Sequence, residues 1–131
     1  MTFKKIDHIG IVVKDLDAAV GTFETHFGLA RDASRGGEVA ALGIKNAFIP
    51  VAGSGEADLE LIQPLGDQGP VAQFARDRGE GQFMLSLAVD DVAAAVERLR
   101  GLGYRAGDPN NGVAFVSMKS THGVNLQLVQ R

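Results

Sequence analysis

Cysteine and tryptophan are absent from this 131-residue chain, and tyrosine occurs only once. The lack of cysteine excludes disulfides, iron–sulfur clusters, thiolate zinc sites and thiol nucleophiles together. It suits a reducing compartment, and the cytoplasm is the expected location. No apolar run approaches the roughly 20 residues of a membrane span, and nothing before the first apolar segment reads as a signal peptide. Positive charge is not in excess either: 13 Lys and Arg stand against 16 Asp and Glu, a net charge of -3. A nucleic-acid partner, which calls for a basic surface, is therefore not expected. What remains is 45% hydrophobic and 22% charged, an ordinary globular balance. The length supports one core-forming domain. Glycine is plentiful at 17 residues, which points to short elements joined by tight turns.

The chain repeats itself. Residues 6–29, IDHIGIVVKDLDAAVGTFETHFGL, lie over residues 82–104, QFMLSLAVDDVAAAVERLRGLGY. In that alignment His8 falls on Met84, Asp15 on Asp91, Val20 on Val96 and Phe23 on Leu99. Residues 47–63, AFIPVAGSGEADLELIQ, lie over 114–130, AFVSMKSTHGVNLQLVQ, without a gap, so that Gln63 meets Gln130.

Each copy opens with a strand, shown by the alternation of Ile9, Ile11 and Val13 with His8, Gly10 and Val12. A helix follows. Asp15 suits its N-cap, Leu16, Val20, Phe23 and Phe27 make one apolar stripe, and Gly28 suits its end. The second copy has a strand at 84–89, Asp91 as cap, and Val92, Val96 and Leu99 as stripe. Three further strands are expected after each helix: about 38–42, 45–51 and 57–63, then about 104–106, 112–118 and 124–130. Residues 64–81 join the copies, with a short helix between Pro70 and Gly79. The expected fold is α+β: one domain over 1–131, with module one at about 3–66, a linker helix at about 67–81 and module two at about 82–131. The two βαβββ modules would form an open, cup-shaped, eight-stranded mixed sheet.

The helix of each module must cover the apolar sheet face. In module one that face carries Ile9, Ile11, Val13, Leu59 and Leu61. The opposite face carries His8, Gly10, Asp58 and Glu60, and in module two Met84, Ser86, Asn125 and Gln127. That face is too polar for a second hydrophobic layer and reads as the wall of a ligand site.

These features resemble the vicinal oxygen chelate superfamily, also called the glyoxalase/bleomycin-resistance fold, over essentially the whole chain. Within it, LELIQPLGDQGPVAQFARDRGEG at 59–81 and KSTHGVNLQLVQ at 119–130 are similar to the methylmalonyl-CoA epimerase branch. The resemblance implies a divalent metal (Co, Ni, Zn, Mn or Mg) held by four side chains, usually His, Glu or Gln, His and Glu. It also implies an enediolate formed by proton removal next to a carbonyl. His8 and Glu60 match that set. Met84 replaces the second histidine and Gln127 the closing glutamate, so His8, Glu60 and Gln127 form an incomplete set. A thioether suits hard divalent ions poorly. The branch's base glutamate, placed relative to Gly43, corresponds to Ala41, with Glu38 nearby.

The expected protein is therefore an isomerase (epimerase) or lyase of the glyoxalase type, with little need of metal. It would act on a small carboxylated or carbonyl compound, possibly an acyl-CoA. His8 and Glu60 are the candidate catalytic acid/base pair. Ser86, Met84, Asn125, Gln127 and His122 are candidate substrate-binding residues. The alternative is a non-catalytic binder of the bleomycin-resistance type, favoured by the joint loss at Met84, Gln127 and Ala41. An extradiol-type dioxygenase is disfavoured by the missing second histidine. His26 near a helix C-terminus reads as a dipole partner, and Arg76 and Arg78 read equally as a solvated charged face or as contacts to CoA phosphates. Family likeness implies a homodimer.

Overall fold

The computed structural model describes residues 2–53 and 57–131. Ser54, Gly55 and Glu56, which fall inside the second repeat alignment, lie outside the described residues. The elements run β1 (Phe3–Val12), α1 (Leu16–Phe27), β2 (Gly37–Val39), a 3-10 turn (Ala40–Leu42), β3 (Ile44–Pro50), β4 (Asp58–Pro64), α2 (Pro70–Arg78), β5 (Gly81–Val89), α3 (Val92–Gly101), β6 (Val113–Val116) and β7 (Leu126–Gln130). Among the described residues, three α-helices and seven strands make an α+β chain with mixed pairing: β5 with β7 is parallel, whereas β2–β3, β3–β4 and β6–β7 are antiparallel. No helix among the described residues is long and apolar enough to cross a membrane.

The chain divides into two compact units, residues 9–83 and residues 1–8 with 84–131. Strand β1 is split between the units after His8, and β5 is split after Phe83.

In the unit of residues 9–83 the strands lie in the order β2, β3, β4, β1. Helix α1 starts where expected, because Asp15 accepts from the Ala18 amide at 3.1 Å. It ends at Gly28, whose φ of 67° is the left-handed turn that favours glycine. The core is Val13, Leu16, Val20, Ala47, Ile49 and Leu61, with Ile11, Phe23 and Leu59 packed on it. Ile11, Val13, Leu59 and Leu61 of the expected sheet face and Leu16, Val20 and Phe23 of the expected stripe are here. Ile9 is only partly buried, Phe27, the last residue of α1, is 65% exposed, and Ala47 and Ile49 of β3 complete the core. The short helix α2 has Pro70 in its first turn and Gly79 at its end, as expected.

The other unit repeats the design. Asp91 accepts from the Ala94 amide at 3.0 Å. Val92, Ala95 and Val96 of α3 pack on Val89, Ala114, Val116 and Leu128. The two glutamines matched in the repeat do matching work within their own units. Gln63 Oε1 accepts from the Leu16 amide at 2.8 Å, and Gln130 Oε1 accepts from the Val92 amide at 3.0 Å. Each supplies a partner for a helix N-terminal amide that the helix itself leaves unpaired.

Seven strands, not eight, are found among the described residues. The expected strand at 104–106 is reduced to one antiparallel bridge, Ala106 to Val116. The Arg105 amide is donated to Ser120 Oγ instead of a strand partner. Beyond the bridge, Pro109 has no amide to extend a ladder. The counterpart β2 is also shorter than expected, because the chain turns at Ala40 into the 3-10 turn closed by Gly43 at φ 63°.

Candidate functional site

The candidate residues are read within each unit. His8, Met84, Ser86, Asn125, Gln127 and His122 belong to one, and Glu60 to the other.

His8 lies on β1 and is 8% exposed. Its Nδ1 is 2.7 Å from Asp7 Oδ2. Asp7 is also 8% exposed and is gripped from its other side by Arg131, which donates from Nε to Oδ1 at 2.8 Å and from a terminal nitrogen to Oδ2 at 2.9 Å. The guanidinium of Arg131, followed by the His8 hydrogen bond, lowers the Asp7 carboxyl from 3.8 to about 2, although burial acts in the opposite direction. Asp7 is therefore a carboxylate at any ordinary pH. The Asp–His contact was not legible in the sequence. Neighbours on a strand normally face opposite ways, and the partner that holds Asp7 is 124 residues away.

Ser86 and Gln127 meet across the parallel β5–β7 pair, where they are register partners. The Ser86 hydroxyl donates to Gln127 Oε1 at 2.7 Å, with Ser86 fully buried and Gln127 9% exposed. Met84, two residues before Ser86 on β5, is buried as well. The main chain of Asn125 accepts from the Leu85 amide at 3.0 Å. Asn125 also lines an open groove of about 520 Å³ with Arg105, Phe115, Ser117 and Met118. Phe115 is the register partner of Gln127 on β6, so both occupy one sheet face. The sequence signal for it was its match with Phe48 in the repeat. His122 stands exposed in the turn before β7, at a left-handed φ of 57°.

Glu60 is 7% exposed on β4. Its Oε2 accepts from Asn46 Nδ2 at 2.9 Å. Asn46 is buried on β3, two residues before Phe48, the register partner of Glu60. Among the described residues, Asn46 Oδ1, buried as it is, has no hydrogen-bond partner. Residues 31–37 reach over the same strands. Arg35 makes a bidentate pair with Asp58 at 2.8 and 2.9 Å, and its guanidinium lies 4.9 Å from the centre of the Phe48 ring. Arg35 also pairs with Asp32, whose carboxyl is lowered to about 2, chiefly by hydrogen bonds from Ser34 and then Arg35. Asn46 and Arg35 were missed from the sequence. The two-residue spacing of Asn46 and Phe48 was the available signal for the first, whereas Arg35 sits in a loop with no periodicity. Ala41 and Glu38 are not buried: Ala41 lies in the 3-10 turn, and Glu38 is exposed on β2.

The donors do not fit a divalent metal site of the family type. The departures are in the other half of the set: Met84 offers a soft thioether where the family has a histidine, and the Gln127 amide oxygen, a neutral donor in place of a glutamate, already accepts from Ser86 Oγ. Among the described residues no three His, Cys, Asp or Glu side chains gather so as to hold an ion.

Residues 7–119 match the sequence profile of the glyoxalase/bleomycin resistance protein/dioxygenase superfamily. The chain is 28% identical over 135 aligned residues to the ethylmalonyl-CoA/methylmalonyl-CoA epimerase of Cereibacter sphaeroides, covering 96% of this chain and 97% of that one. Among solved structures, the Streptomyces coelicolor methylmalonyl-CoA epimerase with 2-nitronate-propionyl-CoA superposes with a TM-score of 0.88 at 27% identity, covering 98% of both chains. The Mycobacterium tuberculosis methylmalonyl-CoA epimerase gives 0.86 at 30%, covering 98% of this chain and 88% of that one. Caps, stripes, sheet faces and buried polar side chains thus occur in a chain that, by its matching profile, belongs to the glyoxalase/bleomycin resistance protein/dioxygenase superfamily, with methylmalonyl-CoA epimerases among its relatives.

Proposed function

We propose that this protein acts on a small carboxylated or carbonyl compound carried as a CoA thioester. The reaction is proton transfer at the carbon next to the carbonyl, as in an epimerase, with weak or absent metal dependence. The observation that carries this reading is His8: a titratable ring, 8% exposed, whose Nδ1 is 2.7 Å from a carboxylate that the Arg131 guanidinium holds well below the usual carboxylate range. A buried ionisable group with a built partner is costly as mere filling and apt for acid/base work. In this reading His8 and Glu60 are the catalytic pair. One takes the α-proton and leaves an enolate, the other returns a proton to the same carbon, and exchange with solvent then strips the first group and reprotonates the second, so that atoms and charge balance over the cycle. Ser86, Asn125 and Gln127 hydrogen-bond the ligand, Met84 lines it, and His122 contacts it from its turn.

The donor mismatch argues that the enolate is stabilised by hydrogen bonds from this chain. The second reading is a non-catalytic binder. It is favoured by the Ser86–Gln127 bond, in which two polar groups satisfy one another and present a nearly neutral wall.

Deuterium incorporation at the α-carbon of acyl-CoA thioesters, followed by NMR, separates the readings. Wild type is expected to exchange equally with and without a chelator. Glu60→Gln is expected to lose on the order of 10²–10⁴ in rate. Exchange that Glu60→Gln leaves untouched refutes the pair, and ligand binding without any exchange selects the binder.

A further inference from the structure

We infer that Arg131 is a positioning residue for His8: by clamping Asp7 through both carboxylate oxygens, it fixes which nitrogen of the His8 ring carries the lone pair. The inference rests on the acid/base role proposed for His8 and adds to it the group that sets the ring's tautomer.

The geometry is specific. Arg131 donates from Nε and from a terminal nitrogen to the two oxygens of Asp7, at 2.8 and 2.9 Å. This is the fork arrangement in which arginine binds a carboxylate in one plane and one orientation. Asp7 Oδ2, so held, lies 2.7 Å from His8 Nδ1. A carboxylate only accepts hydrogen bonds. The neutral ring must therefore hold its proton on Nδ1 and its lone pair on Nε2. Without the fork Asp7 is free to rotate, because adjacent strand residues do not naturally face one another.

Arg131 is itself well anchored by its main chain. Its amide donates to the Val89 carbonyl at 2.9 Å, and its own carbonyl accepts from Lys4 Nζ at 2.7 Å. The side chain is 54% exposed, against 10% for that of Asp7. Replacing it therefore opens no cavity in a core and leaves the main-chain bonds in place. A group this exposed adds little to stability, yet it determines the rotamer of a buried carboxylate on which the histidine depends.

Three variants test this: Arg131→Met, Arg131→Lys and Asp7→Asn. The ring nitrogens of His8 are read by ¹⁵N NMR at a pH where the imidazole is neutral, with the exposed His26 and His122 as references in the same spectrum. Wild-type His8 is expected to show the proton on Nδ1. Arg131→Met should shift its population toward the pattern of His26 and His122, Arg131→Lys should shift it part of the way, and Asp7→Asn should shift it as far as Arg131→Met or further. Where α-proton exchange is measurable, Arg131→Met should lower its maximal rate on the order of 10- to 100-fold with little change in KM, and Arg131→Lys should restore part of it. An unchanged His8 tautomer in Arg131→Met overturns the inference, as does a shifted tautomer with unchanged exchange. If wild type catalyses no exchange on any thioester, the acid/base reading fails, while the NMR result still decides whether Arg131 positions His8.

Discussion

At the scale of single residues, several buried polar side chains answer one another: Ser86 with Gln127, Asn46 with Glu60, and Asp7 with His8. Ser86 and Gln127 show what such pairing is worth. Ser86→Ala removes the only hydroxyl donor shown to serve a buried amide oxygen, so about 1–3 kcal/mol of stability should be lost in urea unfolding. Combining it with Gln127→Met removes both partners, and the double variant should be less destabilised than the sum of the singles. An additive double variant would mean that the pair contributes nothing as a pair. Asp7 makes a different prediction. Its folded value, about 2, lies below its ordinary 3.8, so its charged form stabilises the fold above about pH 4. That contribution should disappear as pH falls through 2. Because the Arg131 side chain is half exposed, the difference in urea midpoint between wild type and Arg131→Met should be small, greatest above about pH 4 and gone toward pH 2.

At the scale of elements, the repeat predicts equal partners. Gln63 and Gln130 each accept from the first amide of a helix, α1 and α3, while Asp15 and Asp91 each cap the same helix one turn in. Gln63→Leu and Gln130→Leu should each cost on the order of 1 kcal/mol by leaving a helix amide unpaired. Asp15→Ala and Asp91→Ala should each cost about 0.5–2 kcal/mol. Thermal denaturation of the four variants checks whether the two copies behave alike. The 31–37 loop has no such twin. Gly36 has a φ of 92°, and a Cβ there would lie 2.7 Å from the Asn46 carbonyl oxygen. Gly36→Ala should therefore destabilise the protein and disturb Asn46, the partner of Glu60, which a lowered melting temperature together with a changed response of exchange to Glu60→Gln would reveal.

At the scale of the whole molecule, each unit owns a core. Leu61 in one and Leu128 in the other are fully buried. Truncation of either to Ala should cost about 2–5 kcal/mol, measured as a lower urea midpoint for both variants; a loss confined to one would mean that one core alone carries the fold's stability.

The local pattern of the chain determined a good deal of this protein. Alternation and the helical stripe named part of the core, among it Val13, Leu16, Val20 and Leu61 in one unit and Val92 and Val96 in the other, though Phe27 of the stripe is exposed. Asp15 and Asp91 marked the helix starts, and the internal match aligned Gln63 with Gln130. Such signals are short-range: a period of two or of 3.6 residues is written in neighbouring positions. The sequence likewise named His8, Glu60, Ser86 and Gln127 as polar positions on one kind of sheet face. Only the tertiary structure decided what those residues touch. The Arg131 fork on Asp7, the Asn46 amide on Glu60 and the Arg35–Asp58 pair join residues 124, 14 and 23 positions apart. No local period encodes such a meeting. The eighth strand failed for the same reason. The 104–106 segment has strand-like residues, but whether a strand forms depends on the backbone partners it finds, and here Ser120 Oγ holds the Arg105 amide that a strand partner would need.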